Sequence, residues 1–215
     1  MSNNAVVPAE RDQKPSAKGY RQALGSRREP FKIFEGHRQP IRSIATLPDG
    51  LRIATGSWDR TICIWRLEDG AEMVKWQVKK NIGSLVISQH GKHVVSAEGL
   101  FPSADDIHTE HWKLWVRDAE SGKVVAGPLD THTNVVRGLD VSPDGEILAN
   151  GSWDHTMILW DTRSWQRKGG PIWCRLYVLD VRFSPSGQLG IATKEDIQIW
   201  DLERTGVSCS IQGPC

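Results

Sequence analysis

A chain of 215 residues with a net charge of +1, 25% charged and 39% hydrophobic residues holds one or two domains. If compact, it buries roughly 70% of its unfolded surface. The near-neutral balance argues against nucleic acid as a partner, which would call for a marked basic excess. No apolar run reaches the about 18 residues of a membrane-spanning helix, and the N-terminus lacks the apolar heart of a signal peptide, so no membrane partner is expected.

Residues 1–29 are polar and aperiodic, with Arg11, Lys14, Lys18, Arg21, Arg27 and Arg28 set against Glu10, Asp12 and Glu29. They read as a disordered, solvated tail. From Phe31 onward short Val- and Ile-rich runs alternate with turn residues, as in "IRSIATLPDGLRIATGSWD" and "VVRGLDVSPDGEILANGSWD". Such runs are β-hairpins, and no stretch sustains a helical period. The turns fall at Pro48–Gly50, Gln89–Gly91, Pro143–Gly145 and Pro185–Gly187. Four strands end in tryptophan, at Trp65, Trp115, Trp160 and Trp200, spaced by 50, 45 and 40 residues. The phrase "GSWDRTICIW" at 56–65 returns as "GSWDHTMILW" at 151–160. The chain is therefore all-β, with four repeats near 30–73, 74–123, 124–168 and 169–215, each of roughly four antiparallel strands.

The combination of "GH", "PDG" and "GSxDxTIxIW" resembles the WD-repeat β-propeller family over about residues 31–210. The match is specific in the first and third repeats and loose in the other two. The resemblance implies a hydrogen-bonded set in each blade: His37, Ser57, Asp59 and Trp65 in the first, His132, Ser152, Asp154 and Trp160 in the third. His and Trp are 28 residues apart in both. A buried carboxylate and a buried indole N–H need partners, so the set reads as a structural brace. A hydrolase triad is the rival reading, but a triad is needed once, not twice.

The second repeat lacks the His and carries a longer loop with Asp105, Asp106, His108, Glu110 and His111. That loop reads as a solvated acidic segment, with a metal site as the alternative. The fourth repeat has Glu195 and Asp196 in its turn in place of S-x-D-x-T. No G-x-x-x-x-G-K-[ST] and no H-E-x-x-H occurs, so no cofactor is expected. Cys63, Cys174, Cys209 and Cys215 are scattered, which fits a reduced cytoplasmic or nuclear setting.

The resemblance also implies a partner face, made by the residue before each turn Asp and by two positions of each first strand. These are Pro40, Arg42 and Trp58; Asn81 and Gly83; Val135, Arg137 and Trp153; Tyr177 and Leu179. Trp, Tyr and Arg favour binding hot spots, and such a face suits a protein or peptide, acidic or phosphorylated. The expected function is a non-catalytic interaction scaffold. Four blades are fewer than the family's usual seven. A truncated gene product, self-association or pairing with another WD-repeat chain to complete a ring, and an open arc or small closed ring are the competing explanations.

Overall fold

The computed structural model describes residues 30–100 and 112–202. The expected tail, the acidic loop with its candidate metal ligands, and Cys209 and Cys215 lie outside the described residues. By compactness the chain divides after Ile33. The first unit is described only over its last four residues, where Phe31 and Ile33 are exposed.

Among the described residues the second unit carries four antiparallel sheets, each running in chain order. The first holds β1 (Ile41–Thr46), β2 (Arg52–Ser57), β3 (Thr61–Arg66) and β4 (Glu72–Gln77). The second holds β5 (Asn81–Ile87), β6 (His93–Gly99), β7 (Trp112–Asp118) and β8 (Val124–His132). The third holds β9 (Val136–Val141), β10 (Ile147–Ser152), β11 (Thr156–Asp161) and β12 (Ile172–Trp173). The fourth holds β13 (Val178–Phe183), β14 (Leu189–Thr193) and β15 (Ile197–Trp200) among the described residues. Sequence repeats and sheets are offset by one strand: β8 opens the repeat at 124–168 but closes the second sheet. The β1–β2, β5–β6, β9–β10 and β13–β14 hairpins close through Gly50, Gly91, Gly145 and Gly187, all at positive φ. Each donates its N–H to the carbonyl three residues back, at 2.8–3.0 Å, and glycine meets this left-handed turn without strain.

Successive side chains of a strand point to opposite faces, and here the inner strands bury both. Ala54, Ile62, Ile64 and Leu47 of the first sheet pack on Ile82, Leu85, Ile87 and Val94 of the second. Val95, Ala97, Trp112, Leu114 and Val116 of the second pack on Val136, Leu139 and Leu148 of the third. Ala149, Met157 and Leu159 of the third pack on Val178, Val181, Leu189 and Ile191 of the fourth. The core is thus three stacked interfaces, each made by the trailing face of one sheet and the leading face of the next. This is the packing of propeller blades.

Candidate functional site

In the first blade the imidazole of His37 lies between two partners. Its Nδ1 stands 3.0 Å from Asp59 Oδ2 and its Nε2 2.7 Å from Thr55 Oγ1. The Trp65 indole also donates to Thr55 Oγ1, at 2.7 Å. The Asp59 carboxylate can only accept, so Nδ1 carries the proton shared with it, and in the neutral ring Nε2 then accepts from the Thr55 hydroxyl. Asp59 further accepts from Thr61 Oγ1 at 2.6 Å, the Thr61 amide at 3.0 Å and the Arg38 amide at 2.9 Å. The third blade repeats the scheme: His132 Nδ1 is 2.9 Å from Asp154 Oδ2. Asp154 accepts from Thr156 Oγ1 at 2.6 Å, the Thr156 amide at 3.0 Å and the Thr133 amide at 3.0 Å. The Trp160 indole donates to Asn150 Oδ1 at 2.9 Å. Asn150 Nδ2 and His132 Nε2 are buried without a hydrogen-bond partner, so this copy is less complete than the first.

The serines stand apart from these chains. Ser57 Oγ donates to the Gln39 carbonyl at 3.0 Å and accepts from the Asp59 amide at 3.1 Å. Ser152 does the same with Asn134 and Asp154. The serine expected between His and Trp therefore ties the turn to the incoming strand, and Thr55 and Asn150 take the indole. This arrangement orders a turn; the serine hydroxyls are directed at backbone carbonyls, not at the imidazoles.

Burial pushes the Asp59 and Asp154 carboxyls up. Hydrogen bonds from Thr61, the Arg38 amide and His37, and from His132, Thr156 and the Thr133 amide, outweigh it and hold both at about 2, against an ordinary 3.8. A depressed carboxylate contributes stability above its unfolded value and loses it as pH falls through the folded one. Between pH 3.8 and 2 each blade should lose roughly 1–2 kcal/mol. Chemical denaturation followed by circular dichroism across this range would show the slope, and Asp154→Asn should flatten it.

The second blade solves the same problem with other chemistry. The register pairs Ile53 with Trp65, Leu148 with Trp160 and Leu189 with Trp200, and at the matching step Val94 pairs with Arg117. Trp115 sits two residues earlier, opposite Ser96, where the first blade has Cys63. The expected equivalence of Trp115 with Trp65 is thus displaced, because Leu114 and Val116 must face the third blade. Arg117 takes over the indole's part. Its guanidinium donates to Ser96 Oγ at 2.8 Å and to Glu98 Oε1 at 2.6 Å. Ser96 and Glu98 occupy the positions of Thr55 and Ser57.

The residues expected at a partner face lie beside these turns. The Arg42 guanidinium stands 5.3 Å from the Trp58 ring centroid and that of Arg137 5.5 Å from Trp153. The Trp58 and Trp153 amides donate to the carbonyls of Pro40 and Val135 at 3.1 and 3.0 Å, which fixes turn against strand. The Lys194 amide makes the same bond to Tyr177, so Lys194 holds the tryptophan position in the fourth blade. Tyr177 lies 6.2 Å from Trp153 and 4.6 Å from His155, ring to ring. Trp153 Nε1 is buried with no hydrogen-bond partner. Pro40, Arg42, Tyr177 and Leu179 are exposed, and Asn81 is half-buried. Val135 is a correction: it is 0% exposed, drawn with Trp112 into the interface of the second and third blades. Gly83 is covered by the Trp112 indole. His155 escaped the sequence reading, although it follows Asp154 in the repeated phrase.

Stacked meanders of three or four antiparallel strands, with a His–Asp–Thr turn and a buried strand-end tryptophan each present twice, define a blade-repeat protein of the propeller class. The family model "WD domain, G-beta repeat" matches residues 28–66 and 123–161. Those two stretches are WD repeats by that model, and they hold the repeated His–Asp–Thr turns. It is 32% identical over 138 residues to the ribosome biogenesis protein WDR12 homolog of Nematostella vectensis, covering 64% of this chain and 31% of that protein. It is 30% identical over 145 residues to WD repeat-containing protein 18 of Bos taurus, covering 64% and 32%. The chain thus spans about a third of the length of these relatives. Among solved structures, the computationally designed Ika4 protein superposes with a TM-score of 0.62 at 19% identity, over 78% of this chain and 94% of that one, a likeness of fold.

Proposed function

We propose that the chain is a non-catalytic scaffold that binds an acidic or phosphorylated peptide of a protein partner on the blade end carrying Arg42, Trp58, Arg137, Trp153 and Tyr177. The observation that supports this reading is the duplicated Arg–Trp stack. The brace accounts for His, Asp, Thr and the strand-end Trp, but it needs neither Arg42 nor Trp58, nor their twins. Cations over indoles, with Arg175 two residues before Tyr177 and the Lys194 amide bonded to the Tyr177 carbonyl, make a cationic, aromatic surface, and such surfaces take carboxylates and phosphates. The name of the Nematostella vectensis relative places that protein in ribosome biogenesis, and by that likeness we assign this chain to the nucleus in preference to the cytoplasm.

An array of acidic and phosphoserine peptides, with fluorescence anisotropy on the best binder, tests the reading. Arg42→Glu with Arg137→Glu should weaken binding at least tenfold, and affinity of the parent should fall with added salt. Affinity unchanged by the double reversal would sink the proposal.

A further inference from the structure

Two blade faces at the ends of the stack expose apolar side chains that are buried at the equivalent positions elsewhere. On the trailing faces, the β3, β7 and β11 residues Ile62, Leu114 and Met157 are 0% exposed, yet the fourth-blade residue in the same register, Ile197, is 78% exposed. One turn of the pleat further on, Ile64, Val116 and Leu159 are 0–2% exposed and Ile199 is 65% exposed. On the leading faces the inequality runs the other way. Ile82, Val136 and Val178 are 0% exposed, and their first-blade counterpart Ile41 is 52% exposed. Leu85, Leu139 and Val181 are at most 4% exposed, and Ile44 is 65% exposed.

What covers such residues is visible three times inside the chain: the trailing face of one blade is covered by the leading face of the next. At the first interface, the absent side chain of Gly56 makes room for Ile82 and Leu85, since a Cβ there would fall 2.6 Å from Ile82 Cγ2 and 2.8 Å from Leu85 Cδ2. In the fourth blade the same position is Ala192, as it is Ala97 in the second, whose Cβ is accommodated in the interface with the third blade. Ser43 Oγ crosses that interface to accept the Leu85 amide at 2.9 Å. Asp180 holds the Ser43 position in β13, where its carboxylate accepts the Val181 amide at 2.9 Å and stands 3.4 Å from the Arg182 guanidinium.

We propose that a second copy of this chain docks head to tail, with Ile41 and Ile44 of each copy seated over Ala192, Ile197 and Ile199 of the other. The contact is heterologous, and two copies related by a twofold axis satisfy both end faces at once. Twice the four sheets gives a ring of eight blades, within the range propellers adopt. The closure leaves the Arg–Trp end of the blades open, so it stands or falls separately from peptide binding.

Light scattering coupled to size exclusion tests this on the full 215-residue chain. The parent should run at twice its 24.1 kDa. Ile44→Glu and Ile199→Glu, each an exposed position of the single chain, should both run at 24.1 kDa with the parent's circular dichroism. Mixing the two variants should restore a two-chain species, because each brings the face the other lacks. That species should dissociate at higher concentration than the parent, having one contact in place of two. A parent that stays at the mass of one chain, that grows into an open series of sizes, or whose single-face variants still pair with themselves overturns the proposal.

Discussion

Replacing Arg117 by alanine is expected to cost roughly 3–5 kcal/mol, a fall in melting temperature of roughly 6–20 °C for a chain of this size. Glu98 is 2% exposed and accepts from Arg117 at 2.6 Å and from Ser96 at 2.8 Å. Removing the guanidinium leaves a buried carboxyl that burial already pushes above its ordinary value. Breaking one side of a buried pair costs far more than replacing both. Glu98→Ser combined with Arg117→Trp should therefore recover most of the loss, since Ser57 and Trp65 occupy these positions in the first blade and Ser152 and Trp160 in the third. Trp115→Phe should cost under about 1 kcal/mol, its indole lying half-buried beside the guanidinium rather than inside the network. A larger loss from Trp115→Phe than from Arg117→Ala would restore the tryptophan equivalence that the repeat spacing implies.

That example marks where sequence pattern gives way to register. Turn glycines, alternating apolar runs and the doubled phrase were enough to read four antiparallel sheets, because each feature is local. The position of Trp115 was misread because a tryptophan is conspicuous, whereas what sets a strand's register is which residues must face the next blade. Leu114 and Val116 decide that, and they place Arg117 at the brace. The acceptors Thr55 and Asn150 went unseen for a related reason: they differ between the two good repeats, and a motif search follows sameness. Thr and Asn satisfy an indole N–H equally well through a side-chain oxygen. Val135 was assigned to the partner face by position alone, while its chemistry belongs to the apolar interface it entered. The two exposed end faces could not be read from the sequence, since Ile41 and Ile197 look like their buried counterparts and differ only in exposure among the described residues.

Asp154→Ala is expected to cost roughly 2–4 kcal/mol, read from urea denaturation, and to reach function as well as stability. The carboxylate gathers His132 Nδ1, the Thr156 hydroxyl and amide and the Thr133 amide. Deleting it strands several donors in a poorly hydrated site, each at a cost of about 1–3 kcal/mol before water and relaxation recover part. Ser152→Ala removes a single hydroxyl and should cost about 1 kcal/mol. Asp154→Asn keeps one acceptor oxygen and should fall between the two. The same turn carries Trp153 before the aspartate and His155 after it, with His155 at a φ of 70°. A residue other than glycine holds that left-handed conformation only when its surroundings fix it. Loosening the turn should therefore shift the Trp153 ring away from Arg137 and Tyr177 and weaken peptide binding at temperatures where the chain is still folded. Ser152→Ala, matched for residual fold, should leave affinity near that of the parent. Equal affinities for the two variants would mean that the brace supports the blade alone and leaves the partner face unordered.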